Sequence, residues 1–483
     1  MIRVRVILLI IGYFVSILGI TMNIPLIVDY VNNNQDWEAF LVSEFFTLFI
    51  GVSLAITCRE SDLKDISIRE AFILTTCSWI TLVFFASLPF FYSDLNLGYV
   101  DAFFEAMSSL TTTGATIITN LDNAPPGILV WRAFLEWVGG IGIIVMAIAI
   151  LPFLRVGGMQ LFKTESSDKS HKIMPRVKQL AAAIGAIYVL FTVICATALY
   201  FAGMGMFDAI LHAMTSVSTG GFSTHDLSIA YFNDYTIELI IMFFIILGAI
   251  PFPIHIKLFQ GKWKAIQNDQ QLYFFFLVLL ILIAITVIWL MSSFAMSFDH
   301  AFRIASFNVV AIITTTGYAS TDYSLWGESI LTLLFLVSVI GGCTGSTSGG
   351  IKIFRFQVLY VTAKYQIFRL IQPHGVYKVQ YNGETIPDSV GSAVMAFFLI
   401  FCFCFFIIAI LLSFTGLDFI TSLSAAAATI ANLGPGLGNI VGPAGNYHSL
   451  TDFAKWVISA GMLIGRLEIF TIFVLFSAAF WRD

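Results

Sequence analysis

The sequence predicts an all-α polytopic membrane protein in which four repeats of membrane helix, pore helix and membrane helix surround a central pore, preceded by two extra transmembrane helices. Three observations support this prediction. The chain is far more apolar than a soluble domain of its length, its long apolar segments match the thickness of a bilayer, and four shorter segments share an aspartate near the start and a glycine at the end.

The composition is typical of a membrane protein. Of the 483 residues, 58% are hydrophobic and 11% are charged, against about 25% charged in soluble domains. A soluble globule could not bury so many apolar residues, because much of its surface must face water. The net charge of −5 and the pI near 5.8 argue against a nucleic-acid partner, which requires a basic face. The six cysteines fit neither a disulfide framework nor a zinc site.

Eleven apolar segments are predicted to be membrane helices, since a crossing takes about 20 residues. They lie near 4–28, 38–57, 70–92, 128–154, 180–203, 235–257, 272–296, 328–341, 351–371, 391–415 and 452–480. The first follows basic residues as a signal peptide would, but no small-residue cleavage site comes after it, so we expect a retained helix. Four apolar stretches are too short to cross and predict re-entrant segments, at 102–113, 208–219, 299–316 and 418–433.

The positive charges predict the topology. With a cytoplasmic N-terminus, 19 of the 24 Lys and Arg residues fall in segments on the inner side, as the positive-inside rule requires. Arg132, Arg303 and Lys455 fall outside, and Lys352 and Arg466 lie within apolar stretches. This distribution holds only if the four short segments enter the membrane and return on the outer side.

The four short segments form an internal repeat. Each carries an Asp near its start, at Asp101, Asp208, Asp299 and Asp418. Each ends at a Gly, at Gly114, Gly220, Gly317 and Gly434, so that the glycines are 106, 97 and 117 residues apart. The chain therefore divides into the two extra helices and four repeats, with bounds at 1–60, 61–165, 166–265, 266–375 and 376–483.

Each repeat is predicted to place a half-helix and a carbonyl-lined turn at a common axis. The Asp accepts hydrogen bonds from free N–H groups at the helix start, and the partly negative C-terminal end points toward the axis, where it stabilises a cation. The extended turn is tolerated because it lines a water-filled cavity, and four such turns can replace a cation's hydration shell. The predicted filter residues are Thr112, Thr113, Gly114, Ser218, Thr219, Gly220, Thr315, Thr316, Gly317, Asn432, Leu433 and Gly434.

A glycine-rich break interrupts the second helix of repeat 3 and is a candidate gate below the filter. The alternative is a kink that packs against neighbouring helices; the glycine spacing excludes a Walker A loop. Arg466 lies within the last membrane helix, where a charge points to function, and Lys352 either adds a second positive charge or extends to the inner interface. The predicted gate residues are Gly341, Gly342, Thr344, Gly345, Ser346, Thr347, Ser348, Gly349, Gly350, Lys352 and Arg466.

These motifs resemble those of the Trk/Ktr/HKT superfamily of potassium transporters. The turns TTTGAT, STGGFS, TTTGYA and NLGPGL are similar to its filters, and the break GGCTGSTSGGIK and the ending SAGMLIGRLEIF are similar to its bacterial members. The similarity covers nearly the whole chain. The two extra N-terminal helices indicate the membrane subunit of the Trk type rather than the shorter Ktr type.

The resemblance implies a homodimer with one pore per protomer that carries K⁺ inward across the bacterial inner membrane. It implies a cytosolic ring of TrkA-type regulatory subunits that bind nucleotide and act on the gate loop, with Arg466 blocking the path beside it. Gly114 resembles the K⁺-selective members, whereas relatives with Ser in the first turn pass Na⁺. K⁺ is then the transported ion, and no covalently bound cofactor is expected.

Three alternatives remain open from the sequence. A secondary transporter coupled to H⁺ or Na⁺ usually has inverted repeats and buried carboxylates on its spanning helices. Here the repeats are parallel. Glu136 and Glu238 are predicted near outer helix ends, so Glu468 is left as the candidate for a buried carboxylate on a spanning helix. A cation channel that does not distinguish K⁺ from Na⁺ is the second alternative. A membrane enzyme is disfavoured, because the seven histidines are scattered, so no catalytic residue is predicted.

Overall fold

The computed structural model describes residues 2–59, 66–146, 173–267, 269–373, 380–382 and 384–482. Within these ranges the chain is helical apart from loops and one short antiparallel hairpin, formed by β1 (Gln380–Tyr381) and β2 (Glu384–Thr385). The predicted helix end at 147–154 and most of the linker at 155–179 lie outside the described residues.

The helices follow the predicted order. The N-terminal region contains α1 (Val4–Thr21), α2 (Asn23–Val31) and α3 (Trp37–Thr57). Repeat 1 contains α4 (Ile68–Ala86), α5 (Leu88–Tyr92), α6 (Tyr99–Leu110) and α7 (Pro126–Val145). Repeat 2 contains α8 (Ile173–Phe201), α9 (Met206–Val217), α10 (Tyr235–Ala249), α11 (Phe252–Phe259) and α12 (Lys264–Gln267).

The second half of the chain repeats this order with two interruptions. Repeat 3 contains α13 (Gln270–Phe294), α14 (Phe298–Ile313), α15 (Glu328–Ser338) and α16 (Ile353–Ile371), with the glycine-rich break between the last two. Repeat 4 contains α17 (Asp388–Ser413), α18 (Phe419–Ala431), α19 (Asp452–Arg466), α20 (Ile469–Phe473) and α21 (Ala478–Trp481). Among the described residues, seven helices or helix pairs are long and apolar enough to cross a bilayer, and nine if two sharply bent pairs each count as one span.

The two bent pairs correct the prediction of continuous helices at 235–257 and 452–480. The axes of α10 and α11 differ by 98°, and those of α19 and α20 by 108°. The first bend follows from Pro251 and Pro253, because proline lacks the N–H that would continue the helical ladder. The N–H of Phe252 instead donates to the carbonyl of Gly345 at 2.9 Å. The second bend is at Glu468, whose φ of 61° is left-handed and ends an α-helix.

The four half-helices α6, α9, α14 and α18 are present as predicted, with 12 to 16 residues each. Their aspartates do not all cap them. Asp418 is an N-cap that accepts the N–H of Thr421 at 3.1 Å. Asp101, Asp208 and Asp299 instead lie within the first turn of α6, α9 and α14. Side chains from neighbouring segments donate to Asp101 and Asp208. The predicted capping role is therefore wrong for these three residues.

The half-helices form the core, and the long helices form the shell around it. Every residue of α6 from Ala102 to Leu110 is buried. The spans α13 and α17, by contrast, are 33% buried and expose apolar side chains such as Leu280 and Leu399. A face of this kind is stable in lipid and unstable in water. The chain is a polytopic membrane protein whose four half-helices converge at its centre.

Candidate functional site

The turns after the four half-helices begin with the same backbone conformation. The first residue of each motif is left-handed, with φ between 51° and 57°, at Thr112, Thr219, Thr315 and Asn432. The N–H of the next residue donates to the carbonyl five residues earlier at 2.8 to 2.9 Å, in the pairs Thr113–Ser108, Gly220–Thr215, Thr316–Ala311 and Leu433–Ala428. These shared features define equivalent positions in the four turns.

The equivalence corrects the predicted alignment of the second turn by one residue. Gly220 lies at the position of Thr113, and Gly221 lies at the position of Gly114. The φ angles agree with this, since Gly114, Gly221 and Gly317 have values of 80°, 87° and 82°. Because this turn has two consecutive glycines, the alignment of the four repeats could not show which of them corresponds to Gly114.

The first three turns pack directly against one another. A Cβ atom on Gly114 would lie 2.2 Å from the carbonyl oxygen of Gly220. A Cβ atom on Gly221 would lie 1.7 Å from the carbonyl oxygen of Thr316. Both distances are far below van der Waals contact. The glycines are therefore required by the close approach of neighbouring turns as well as by their φ angles.

The fourth turn closes the ring. A Cβ atom on Gly317 would lie 3.1 Å from the nitrogen of Gly434, and one on Gly434 would lie 2.6 Å from the carbonyl oxygen of Gly114. The side-chain amide of Asn432, which replaces threonine here, donates to the hydroxyl of Thr113 at 3.0 Å. Contacts thus run from turn 1 through turns 2, 3 and 4 and back to turn 1. We call these four turns the filter ring.

One cavity of about 70 Å³ touches all four turns of the filter ring. Gly114, Gly221, Gly317 and Gly434 line it together with residues that follow the turns, including Arg132, His225, Asp226 and Tyr447. We call this the outer side of the ring, in keeping with the orientation predicted from the cations. The hydroxyl of Tyr447 donates to the carbonyl of Gly434 at 2.9 Å, a contact that no local sequence signal predicts.

Arg132, a predicted outer cation, ties the first turn to the second. Its Nε donates to Glu105 at 2.7 Å and its Nη2 to the hydroxyl of Thr116 at 3.0 Å. Its Nη1 donates to the carbonyl of Ser223 at 3.3 Å, and the guanidinium lies 4.0 Å from the ring centroid of Phe222. The ion pair is fully buried, so its charges are compensated within the protein.

The other two outer cations also join neighbouring repeats. Arg303 of α14 forms a 2.9 Å ion pair with Glu238 of α10. Lys455 of α19 forms a 2.5 Å ion pair with Asp101 of α6 and is 4% exposed. These pairs link repeat 3 to repeat 2 and repeat 4 to repeat 1. The three cations therefore hold repeats together around the filter ring.

The predicted gate loop, residues 341–350, lies directly against the filter ring. All of its residues from Gly342 to Ser348 are buried. It makes hydrogen bonds of 2.7 to 3.0 Å with three of the four turns, in the pairs Thr347–Thr219, Gly349–Thr315 and Gly350–Ala431. The loop is therefore attached to the ring by hydrogen bonds.

The two cations predicted for the gate are buried beside this loop. Arg466 donates to the carbonyl oxygens of Thr347 at 3.0 Å and of Gly139 at 3.3 Å, as expected for a charge held by backbone carbonyls. Lys352 is 5% exposed, and its Nζ has no hydrogen-bond partner among the described residues. Its burial excludes the alternative in which it extends to the inner interface.

The locations predicted for two residues near the gate are wrong. Arg355, counted as a cation of the inner linkers, is fully buried and forms a 2.5 Å ion pair with Glu468. Its guanidinium lies 3.8 Å from the ring centroid of Phe397. Glu136, predicted near an outer helix end, is fully buried and contacts the second turn of the filter ring. Both contacts join residues more than 80 positions apart, and no local pattern reveals them.

Comparison with known proteins agrees with this geometry. The family described as "TrkH: Cation transport protein" matches residues 38–483. The chain is 43% identical to "Trk system potassium uptake protein TrkI" of Halomonas elongata, over 97% of this chain and 95% of the relative. It is 39% identical to "Trk system potassium uptake protein TrkH" of Escherichia coli K12, over 99% of both.

The fold matches a solved structure over its full length. The crystal structure of the potassium transporter TrkH from Vibrio parahaemolyticus superposes with a TM-score of 0.92 at 36% identity, covering 100% of both chains. This chain belongs to the TrkH family of cation transport proteins.

Proposed function

We propose that this chain takes up K⁺ through the filter ring, as the membrane subunit of a potassium uptake system. The observation that carries the proposal is the closed ring of four equivalent turns at the ends of four buried half-helices. Each half-helix directs a partial negative charge of about half an elementary charge toward the ring. Backbone carbonyls in such a ring can replace the hydration shell of a cation. The names of the relatives support K⁺ as the ion.

The filter comprises the predicted residues with Gly221 added in the second turn. Side-chain identity varies among the turns, since Leu433 and Gly220 stand where Thr113 and Thr316 stand elsewhere. A filter that coordinates through backbone carbonyls accommodates this variation, because the first two residues of all four turns share one backbone conformation.

Loop 341–350 and Arg466 form the gate in this proposal. The loop covers the side of the filter ring opposite the outer cavity, and its hydrogen bonds to Thr219 and Thr315 hold it there. Arg466 places a positive charge against the same loop. A cation that leaves the ring would meet this charge, so the described conformation is closed.

The ion pairs of three acidic residues favour a channel-like path, whereas the carboxyl group of Glu136 leaves the cation-coupled alternative open. A coupled mechanism needs a carboxyl group that is free to bind the second ion. Glu468, the acid that the sequence left for this role, is paired with Arg355. The carboxyl groups of Glu105 and Glu238 are likewise paired with arginine. The buried carboxyl group of Glu136 is the exception, since its Oε1 has no hydrogen-bond partner among the described residues.

The partners and orientation follow from the family resemblance. We propose a homodimer in the bacterial inner membrane with a cytoplasmic N-terminus, together with a cytosolic ring of TrkA-type subunits through which nucleotide acts on the gate. Size-exclusion chromatography with light scattering tests the dimer, and co-purification with a TrkA-type subunit tests the ring. Cysteine labelling of linker 155–179 from outside the cell would contradict the orientation.

Substitution Gly114→Ser tests the filter. Flux of K⁺, Rb⁺ and Na⁺ is measured in proteoliposomes. We expect the wild type to favour K⁺ over Na⁺ and the variant to lose about tenfold of that preference, because its Cβ would lie 2.2 Å from a neighbouring carbonyl and displacing the turn costs about 1–3 kcal/mol.

Gly416→Ser is the matched control. Gly416 has a φ of 86°, similar to that of Gly114, but a Cβ atom added to it would have no neighbouring heavy atom within 4 Å. The control variant therefore carries the same backbone strain without the clash, and we expect it to keep the wild-type ion preference. Equal K⁺ and Na⁺ flux through the wild type would contradict the proposed selectivity.

A further inference from the structure

The second turn of the filter ring lacks a side chain that the other turns have. Thr113, Thr316 and Leu433 occupy equivalent positions in turns 1, 3 and 4, and Gly220 occupies this position in turn 2. In turns 1 and 3 the threonine hydroxyl is within 2.8 Å of a second hydroxyl at the end of the half-helix, that of Thr111 or Thr314. Turn 2 therefore lacks both a side chain and a hydrogen bond that stabilise its counterparts.

The backbone conformation does not explain the glycine. Gly220 is absent from the glycines with positive φ, unlike Gly221 beside it, so an ordinary residue could adopt its conformation. The space around it does explain the glycine. A Cβ atom on Gly220 would lie 2.3 Å from the carboxyl carbon and 2.3 Å from Oε2 of Glu136. The carboxyl group thus occupies the volume that a side chain would need.

Glu136 comes from α7 of the preceding repeat and is fully buried. Its Oε2 accepts the N–H of Phe222 at 3.3 Å, on the far side of Gly221. Its Oε1 has no hydrogen-bond partner among the described residues. Nearby Arg132 is engaged by Glu105. The carboxyl group of Glu136 therefore lies against the filter turn.

We propose that Glu136 is a positioning residue of the filter, whose carboxyl group replaces the missing side chain of turn 2 and holds the Gly220–Phe222 backbone in register with the other three turns. Two consecutive glycines have more conformational freedom than a Thr-Gly pair, so this turn needs an external support. The ion preference of the pathway then depends on Glu136. The inference rests on the proposed function, because it assigns a role within the same filter.

Exchange of side chains between the two positions tests the proposal. The variants are Glu136→Ala, Gly220→Thr, the double variant Glu136→Ala/Gly220→Thr, and Glu136→Gln. The double variant rebuilds the arrangement of turns 1 and 3, because Ser218 stands where Thr111 and Thr314 stand and offers a hydroxyl to the new threonine. The readouts are the K⁺/Na⁺ flux ratio and the KM for K⁺ in proteoliposomes, with thermal unfolding to measure stability.

We expect Glu136→Ala and Gly220→Thr each to lower the K⁺/Na⁺ ratio by about fivefold to tenfold, the effect of one lost hydrogen bond at the filter. The double variant should recover the ratio to within about twofold of the wild type, since the clash and the empty volume cancel. Glu136→Gln keeps the shape and the acceptor oxygen, and it should retain the ratio. If Glu136→Ala does not fold, the double variant should still conduct better than Gly220→Thr alone.

Glu238→Gln is the control for loss of a buried carboxyl group. Glu238 pairs with Arg303 away from the filter turns, so this variant should lower thermal stability and leave the flux ratio unchanged. An unchanged ratio in Glu136→Ala, or a double variant no better than the single variants, would overturn the positioning role while wild-type K⁺ flux remains. Absence of K⁺ flux through the wild type would instead overturn the proposed function.

Discussion

The cations on the two sides of the filter ring differ in how their charge is compensated. On the outer side, Arg132, Arg303 and Lys455 each form an ion pair of 2.5 to 2.9 Å with a carboxylate. On the gate side, Arg355 is also paired with a carboxylate, that of Glu468, whereas Arg466 bonds to backbone carbonyls and Lys352 has no hydrogen-bond partner among the described residues. Arg132, Lys455 and the two predicted gate cations are buried, so water does not neutralise their charges.

The difference separates structural charges from functional ones. A compensated cation beside the ring holds repeats together without opposing the entry of K⁺. A buried cation without a direct ion pair costs stability, and its field acts on any ion in the path. We therefore expect substitutions in the outer set to change stability and substitutions in the gate set to change flux.

Lys455→Met should have the largest effect, on stability. It leaves the carboxylate of Asp101 without its partner, and loss of one member of a buried ion pair costs about 3–5 kcal/mol. Thermal unfolding in detergent measures the loss. The double variant Lys455→Met/Asp101→Asn removes both charges and should recover most of it. A loss below about 1 kcal/mol would place Lys455 among the functional charges instead.

Arg466→Ala should raise flux in the absence of regulatory subunits by at least about tenfold. Two unit charges 4 Å apart repel by about 4 kcal/mol at an effective dielectric constant of 20, and partial relief of that barrier is enough for a tenfold change. Rb⁺ flux into proteoliposomes measures it, and deletion of Gly345–Gly349 should act in the same direction. The exposed Arg482→Ala is the control, and flux that is unchanged or lower in Arg466→Ala would count against the gate.

Lys352→Met should stabilise the protein by about 1 kcal/mol, because it removes a buried ammonium group without a hydrogen-bond partner among the described residues. The sign is opposite to that expected for Lys455→Met, which makes the two lysines a matched pair. Thermal unfolding of both variants under one condition gives the comparison. A destabilised Lys352→Met variant would show that this lysine is compensated after all.

The smallest expected effect is on the pH dependence of stability, and it comes from His225 on the outer side of the filter ring. Its ring pairs with Asp122 and lies 3.7 Å from Asp208. Partial burial alone would lower the pKa of His225, but the hydrogen bonds and charges of Asp208 and Asp122 outweigh burial and raise the pKa above its ordinary value of 6.5. The folded state therefore binds the proton more tightly than the unfolded state.

This stabilisation is fully present below pH 6.5 and is lost as the pH rises through the raised pKa of the folded protein. It amounts to at most about 1 kcal/mol, because Asp122 is partly exposed. The thermal midpoint should fall over this range in the wild type, and His225→Gln should remove that part of the pH dependence. An identical pH profile in the two proteins would contradict the ion pairs.

The repeat architecture could be predicted because its signals are local. The length of each half-helix, the aspartate near its start and the glycine after it all lie within one short segment. The bend at Pro251 also has a local signal, two prolines in three residues, which the prediction of a continuous helix overlooked. The bend at Glu468 has no local signal, since neither glycine nor proline stands there, and the positive φ and the ion pair with Arg355 are visible only in the folded chain.

The residues of the candidate filter turns could be predicted from the sequence, but the contacts that support these turns could not. Thr112 and Gly114 follow from the repeat, whereas Glu105 with Arg132 and Glu136 with Gly220 meet only in the folded chain. The choice between Gly220 and Gly221 required the backbone. Once the backbone fixes the alignment, the glycine at the threonine position of turn 2 indicates that another side chain fills the space.

The closed ring has a consequence for how the protein is made. Turn 4 completes the ring by contacting turn 1, through Gly434 with Gly114 and Asn432 with Thr113, across 319 residues in the latter pair. A ribosome delivers the chain from its N-terminus, so the first turn must enter the membrane long before its last neighbour is synthesised. Until repeat 4 is inserted, no nascent chain can hold a complete filter, and a truncated product should leave the membrane sealed to ions.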